Sequence, residues 1–166
     1  MATSTEATVR AVIAGAIQGV ASTLGFESSI GNVHEYLLEW ENDERKAEYL
    51  MARLTDGSKQ VRAWGVQVLG NDDWVASNNI TQRRYQILII GYYSKGVQGE
   101  GINALIDGAR TIRGAIRSLG SRLTETVDLV SSTGQITPRE LGRVDPVGSV
   151  IEGTMEYVAE RRNPDF

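Results

Sequence analysis

Few residues in this sequence could do acid–base or nucleophilic chemistry. The chain contains no cysteine and a single histidine, His34, which excludes disulfides, cysteine catalysis, thiolate metal sites and multi-histidine metal sites. His34 is followed by Glu35, but neighbouring residues of a strand point to opposite faces, so this pair does not make a base and its orienting acid. No G-x-S-x-G nucleophile motif accompanies the histidine. We therefore expect a structural histidine and no enzyme, with a small hydrolase using His34 as a distant alternative.

A glycine-rich segment, G-V-Q-G-E-G at 96–101, lies where a predicted strand leads into a predicted helix. Phosphate-binding loops occupy the same position in many folds. Here the order of the glycines is not G-x-G-x-x-G, and the GK[ST] ending of a P-loop is missing. Glu100 would also repel a phosphate at the start of the helix. The segment therefore favours a plain strand-to-helix turn, and we expect no bound cofactor.

The remaining charged and aromatic side chains are candidates for contacts with partner molecules. The acidic pair at 72–73 lacks the patterned loop and distal glutamate of a Ca²⁺ site, so we expect no metal. Three arginines recur at three- and four-residue spacing on one predicted helix, where they are either solvated or face phosphate or a partner's acids. A tryptophan lies in a polar stretch, and aromatic residues anchor interfaces. The predicted interface residues are Trp74, Asp72, Asp73, Arg110, Arg113, Arg117, Gln135 and Arg139.

The composition is typical of one folded domain. The chain has 166 residues, of which 41% are hydrophobic and 23% are charged. There are 17 Lys and Arg against 21 Asp and Glu, and the resulting net charge of −4 argues against a general nucleic-acid coat protein. The apolar stretch at 9–24 is interrupted by Gln18 and Ser22, so it indicates a helix and neither a signal peptide nor a membrane span. We expect a single domain over 1–166, with 1–4 and 163–166 frayed.

Hydrophobic periodicity predicts the elements that position these residues. Apolar residues at helical spacing predict helices over 5–24, 43–54 and 99–119. Alternation, or enrichment in Val and aromatic residues, predicts strands over 30–40, 60–70, 83–95, 126–130 and 148–162. The strand over 83–95 is apolar on both faces and is expected in the centre of a sheet.

Two polar stretches, 71–82 and 131–147, are predicted as long loops that act as contact arms. The order of the elements is helix, strand, helix, strand, strand, helix, strand, strand. This order predicts an α+β fold, with a mainly antiparallel sheet of about four strands and helices packed on one face.

Several short motifs follow one another over residues 30–160. After the first predicted helix come G-x-V-H-E-Y-x-x-x-W at 31–40, a charged helix and V-R-A-W-G-V-Q-V at 61–68. Trp74 follows, then R-R-Y-Q-I-L-I-I-G-Y-Y at 83–93, a long helix and a closing strand that contains Glu156 and Tyr157. In order and spacing, this series resembles the phage and prophage tail-completion proteins of the tail terminator type.

The resemblance implies a structural virion protein without enzymatic activity or cofactor. Tail terminators form a ring, usually a hexamer, that stops polymerisation of the tail tube and offers a surface to the head connector. The implied partners are further copies of the chain, the tail tube protein and the head–tail connector protein; DNA passes through without specific binding, and no membrane is involved. The implied location is the tail–head junction of the virion, after assembly in the host cytoplasm. A head-completion or neck connector protein is the alternative, and a DNA-binding regulator is disfavoured by the acidic charge.

Overall fold

In the computed structural model the described residues form two helices and six strands. The structure describes residues 5–20, 33–34, 62–75, 80–96, 99–132, 135–144 and 148–161. In chain order, the elements are α1 (Thr5–Gly19), β1 (Val33–His34), β2 (Arg62–Val75), β3 (Ile80–Ser94), α2 (Glu100–Ser118), β4 (Val127–Ser132), β5 (Thr137–Val144) and β6 (Gly148–Arg161).

The strands form one sheet in the order β1-β2-β3-β6-β4, and β5 also pairs with β6. The long strands β2 and β3 pair without interruption from Arg62 opposite Tyr93 to Val75 opposite Ile80. On its other side β3 pairs with β6, whose free edge is shared by β4 and β5. Every pairing is antiparallel except that of β1, which runs parallel to β2. The predicted α+β fold is therefore confirmed, and β3 lies in the centre of the sheet as expected.

The hydrophobic core lies between the two helices and one face of the sheet. Alternation along β2, β3 and β6 places every second residue on this face, which explains why Trp64, Ile87 and Met155 are all buried there. The helices contribute apolar residues at helical spacing: Val9, Ile13 and Ile17 from α1, and Leu105, Ala109, Ile112 and Ile116 from α2. Both helices thus cover the same face, as the sequence predicted.

Leu105 fits into the sheet because two glycines leave room for it. A Cβ atom at Gly91 would lie 2.8 Å from Leu105 Cδ1, and a Cβ atom at Gly153 would lie 2.8 Å from Leu105 Cδ2. Gly91 and Gly153 are opposite each other on β3 and β6. The pair therefore forms a depression in the sheet that positions α2 above the central strands.

Both predicted long loops are corrected by the structure. Within 71–82, β2 continues to Val75 and β3 begins at Ile80, and within 131–147 most described residues belong to β5. These strands were not predicted because their sequences are polar. A hairpin is held together by backbone hydrogen bonds and does not need an apolar face along its whole length. Residues 76–79, 133–134 and 145–147 lie outside the described residues.

The other predicted boundaries shift by smaller amounts. The first helix ends at Gly19, and the residues predicted to extend it to 24 lie, after Val20, outside the described residues. Of the strand predicted over 30–40, the described part is Val33–His34. The helix predicted over 43–54 and the termini predicted to fray, 1–4 and 163–166, also lie outside the described residues.

Candidate functional site

An open cleft of about 380 Å³ lies between the C-terminal half of α2 and the strands β4 and β6. Positions i, i+3 and i+4 of a helix share one face, so α2 presents 113, 116 and 117 to this cleft together. The opposite wall comes from β4 and β6, which pair with each other at this end of the sheet. The lining residues, which we name the arginine cleft, are Arg113, Ile116, Arg117, Gly120, Ser121, Leu129, Val130 and Tyr157.

Two guanidinium groups give the arginine cleft its positive charge. Arg113 is half-buried and Arg117 is exposed. Among the ion pairs formed between described residues, none involves either of these two side chains. By contrast, Arg110 lies one turn earlier on α2, does not line the cleft, and has its Nη1 atom 3.6 Å from Oδ1 of Asp107. The charges of Arg113 and Arg117 are therefore available to an anionic group that enters the cleft.

Tyr157 lines the cleft together with Arg113 and Arg117, whose charges affect its pKa. Burial raises the pKa of Tyr157 above its ordinary value of 10.0, and the positive charges of Arg113 and Arg117 counteract part of this increase. The phenol is therefore neutral at physiological pH, with a hydroxyl group that can donate a hydrogen bond. A neutral donor beside two cations suits a carboxylate ligand better than a cationic one.

Val130 enters the cleft because of a β-bulge. The pairing of β4 with β6 shifts between Leu129, opposite Ala159, and Ser131, opposite Val158. Val130 is the extra residue of this bulge, and 53% of its surface is exposed. Bulges are known to redirect a side chain and to occur near functional sites. An exposed apolar side chain next to two cations makes the arginine cleft amphipathic.

A second surface is the distal end of the β2–β3 hairpin. On the face covered by the helices, Val68 and Tyr85 are buried core residues, and the pairing of the two strands continues beyond them to Val75 and Ile80. Among the described residues, no third strand pairs with β3 before Arg84. We name this two-stranded ribbon, residues 71–75 and 80–83, the hairpin arm. Its length beyond Gly70 is roughly 17 Å, from the rise of about 3.4 Å per residue in antiparallel strands.

The base of the hairpin arm is tied to α1. Nη2 of Arg83 donates a hydrogen bond of 2.7 Å to Oε1 of Glu6, with which it also forms an ion pair. A Cβ atom at Gly70 would lie 2.5 Å from the same carboxylate oxygen, so the glycine leaves room for this contact. The arm therefore starts from a fixed point on the domain.

The eight predicted interface residues fall in three separate places. Asp72, Asp73 and Trp74 belong to the hairpin arm; Arg110, Arg113 and Arg117 lie on α2; Gln135 precedes β5 and Arg139 lies on it. Gln135 and Arg139 are exposed, and Nη2 of Arg139 lies 3.4 Å from Oε1 of Glu152. Only two of the eight, Arg113 and Arg117, line the same cleft.

The other wall of the cleft was not predicted from the sequence. Leu129, Val130 and Tyr157 were assigned only to predicted strands, and their meeting with α2 depends on sheet pairing across about thirty residues. The bulge at Val130 leaves no local pattern. The closest sequence signal was Tyr157 itself, as part of the closing strand of the motif series.

The glycine-rich segment 96–101 separates β3 from α2, where the sequence placed it. Gly96 and Gly99 have φ angles of 77° and 75°, in the left-handed region that favours glycine. The Gly101 N–H donates a 2.8 Å hydrogen bond to the Lys95 carbonyl, and a side chain at 101 would overlap the Ser94 carbonyl oxygen. Backbone geometry thus accounts for these three glycines without a phosphate ligand.

The part of the chain that the structure describes contains no group of three or more His, Cys, Asp or Glu residues that could hold a metal ion. His34 lies in β1, opposite Gly65 of β2. Neither α1 nor α2 is long and apolar enough to cross a membrane, and no other helix is found in the described ranges.

No family model matches the chain, and no curated protein matches it at a significant level.

Proposed function

We propose that this protein is a tail terminator, a structural virion protein that forms a ring on the end of the tail tube and joins the tail to the head connector. The proposal begins from the motif series over residues 30–160, which resembles that class of protein. The observation that supports it best is the presence of two dissimilar surfaces, the hairpin arm and the arginine cleft, on different strands of one sheet.

A closed ring requires a heterologous contact, in which one patch of a subunit meets a different patch of the next. The hairpin arm belongs to β2 and β3, whereas the arginine cleft belongs to β4, β6 and the end of α2. The arm carries Asp72 and Asp73, and the cleft carries Arg113 and Arg117. The two surfaces are thus separate and dissimilar, as a head-to-tail contact needs.

The β5 edge of the sheet is unsuited to unlimited strand addition. The pairing of β5 with β6 is irregular between Glu140 and Gly142, and β5 contains Pro138. Arg139 and Glu140 are exposed on the same strand. Proline, charges and bulges are the features that keep sheet edges from joining. This edge therefore disfavours a continuous sheet that runs from one subunit to the next. Subunits that instead meet through side chains on defined surfaces can form a closed assembly.

The remaining parts of the proposal follow from the same class of protein. The partners are further copies of the chain, the tail tube protein and the head–tail connector protein, at the tail–head junction of the virion. The net charge of −4 is compatible with a ring that DNA passes through without being held.

The experiment is to measure the mass of the purified protein by light scattering and to image it by negative-stain microscopy, alone and with tail tubes. We expect rings, and tubes whose ends carry a ring and no longer elongate. Tubes without the protein serve as the control for elongation. A protein that stays monomeric and never associates with a tube end would contradict the proposal. Binding to the portal side of the head in a parallel pull-down, without binding to tubes, would favour the neck connector alternative.

A further inference from the structure

We propose that the arginine cleft binds a peptide segment of a partner protein in which an acidic side chain stands next to a large apolar one. Such a ligand goes beyond the proposed function, because it binds whether or not the protein caps a tail tube. The residues that line the cleft define it by their hydrogen-bond donors, their apolar side chains and their charge.

The cleft contains hydrogen-bond donors without a partner in the described part of the chain. The guanidinium groups of Arg113 and Arg117 and the hydroxyl group of Tyr157 form no hydrogen bond and no ion pair with another described residue. All three side chains line the same cleft, and the positive charges of both arginines act on the phenol. Guanidinium groups bind carboxylates with two parallel hydrogen bonds, and a neutral phenol can donate a further one. The polar half of the ligand is therefore an anionic acceptor.

The other half of the cleft is apolar. Val130, the extra residue of the β-bulge, is 53% exposed, whereas Leu129 is partly buried and Ile116 is buried. A ligand that removes the exposed apolar surface from water gains free energy. The ligand that satisfies both halves thus carries an apolar group beside its anionic group. The volume of about 380 Å³ lies within the range of roughly 300–1,000 Å³ that is typical of occupied pockets.

A single carboxylate suits the cleft better than a phosphate or a nucleic acid. The cleft lies at the C-terminal end of α2, where the negative end of the helix dipole opposes anions. Arg117, in the last turn, offsets this dipole, so the excess positive charge of the cleft is small. It is sufficient for one carboxylate but not for a dianionic phosphate or a polyanion, which the net charge of −4 also repels over longer distances.

The occupant comes from a different protein, because the described surface of a second copy offers no unengaged carboxylate. Ion pairs within the chain engage Glu6, Asp107, Glu140, Glu152 and Glu160. Other interactions within the chain engage Glu100, Glu125, Asp128 and Glu156. The cleft is also open, so it can accept a segment that continues beyond it on the surface of a larger molecule.

The test is calorimetric titration of the full chain with short, capped peptides that differ in one residue. The first peptide carries glutamate next to leucine in a glycine–serine background. Its variants replace the glutamate by glutamine or phosphoserine, or the leucine by alanine, and a short single-stranded oligonucleotide is the nucleic-acid probe. We expect saturable binding of the glutamate–leucine peptide. Binding should be weaker by about tenfold or more for the glutamine peptide, which lacks the charge, and by roughly threefold or more for the alanine peptide.

Variants of the protein locate the binding site. Arg113→Gln and Arg117→Gln should each weaken binding of the glutamate–leucine peptide by about tenfold, and Val130→Ser by roughly threefold. Arg110→Gln is the matched control, because it removes the same charge from the same helix but does not line the cleft; it should change the affinity by less than about twofold. A urea midpoint for every variant shows that it is folded. Because Arg117 is exposed, Arg117→Gln remains decisive even if Arg113→Gln is destabilised.

Each result supports or overturns the proposal. It is overturned if the glutamate–leucine peptide does not bind at millimolar concentration, if the glutamine peptide binds as tightly, or if Arg117→Gln leaves binding unchanged. Tighter binding of the phosphoserine peptide or the oligonucleotide through the same arginines would identify a phosphate ligand, and loss of self-association in Arg117→Gln would identify a neighbouring copy. Both results overturn a partner's carboxylate as the occupant. Peptide binding by a protein that never caps tail tubes would support this ligand and contradict the terminator function.

Discussion

Replacing two glycines of α2 by alanine is expected to change the stability of the protein in opposite directions. Gly101 is buried in the first turn of the helix, where its N–H donates a 2.8 Å hydrogen bond to the Lys95 carbonyl. A methyl group there would overlap the carbonyl oxygen of Ser94, which belongs to the backbone and cannot rotate away. Gly114 is exposed in the same helix, and apart from its chain neighbours and the backbone of the helix itself no heavy atom lies within 4 Å of the position that its Cβ would take.

The expected magnitudes follow from these two environments. At Gly114, alanine gains only its higher helix propensity, so Gly114→Ala should stabilise the protein by about 1 kcal/mol. At Gly101 the same gain is outweighed by overpacking, about 3 kcal/mol, and by weakening of the hydrogen bond, about 1 kcal/mol. The net effect of Gly101→Ala should therefore be a loss of about 3 kcal/mol. This is a large part of the 5–15 kcal/mol that is typical of folded domains.

Urea unfolding, followed by circular dichroism and by tryptophan fluorescence, measures both effects. The two variants should keep the parent's slope of free energy against urea concentration, because they expose the same surface on unfolding. Their changes in stability should then appear only in the urea midpoint. The melting temperature should move by roughly 2–4 °C for each kcal/mol. A Gly101→Ala midpoint at or above that of the parent would refute the close approach of α2 to Ser94. A Gly114→Ala midpoint below the parent would refute the assignment of an open, helical position.

Two further contacts give predictions of their own. Nε1 of Trp64 donates a 3.1 Å hydrogen bond to the buried hydroxyl of Tyr93, so Tyr93→Phe should cost about 1–3 kcal/mol in urea unfolding by leaving the indole N–H without an acceptor. Burial also raises the pKa of Tyr93 above its ordinary value of 10.0. Because the unfolded chain therefore loses the Tyr93 proton at a lower pH than the folded protein does, the free energy of unfolding should fall as the pH rises above about 10. This fall should be less steep in Tyr93→Phe, which has no such proton. A pH-independent urea midpoint from about pH 9 to about pH 11 would contradict this. Glu6→Gln should lower the free energy of unfolding by about 1 kcal/mol, because it removes the 2.7 Å ion pair with Arg83. A double-mutant cycle with Arg83→Gln should show an interaction energy of about this size between the two side chains. Additive effects of the two substitutions would contradict the ion pair.

Elements with strong periodicity were predictable from the sequence. The segment 83–95, apolar on both faces, correctly predicted β3 and its central position, because a strand that is flanked on both sides by other strands has little access to solvent. The stripe that includes Leu105, Ile112 and Ile116 correctly predicted α2 and its buried face. The strand predicted over 60–70 is the first part of β2, in which the alternating residues Trp64, Val66 and Val68 are all core residues.

Elements held mainly by backbone pairing were not predictable. The distal half of β2, from Asn71 to Val75, has no apolar alternation and was interpreted as a loop, yet its pairing with β3 is unbroken. β5 contains Pro138 and Gly142, which normally indicate a loop but are compatible with an edge strand. The arginine cleft could not be predicted for a further reason. Its walls come from 113–117, 129–130 and 157, which only long-range sheet pairing and a bulge bring together.

The pairing of β3 with β6 has a consequence for the order of folding. The β2–β3 and β5–β6 hairpins connect neighbouring segments of the chain, and hairpins form in roughly microseconds. Arg84 and Glu160, which hydrogen-bond across the β3–β6 pairing, are 76 residues apart in sequence. This pairing closes a loop that contains all of α2 and β4, so its closure entropy must be overcome before the core contacts form. Substitutions along the β3–β6 junction should therefore act mainly on the folding rate.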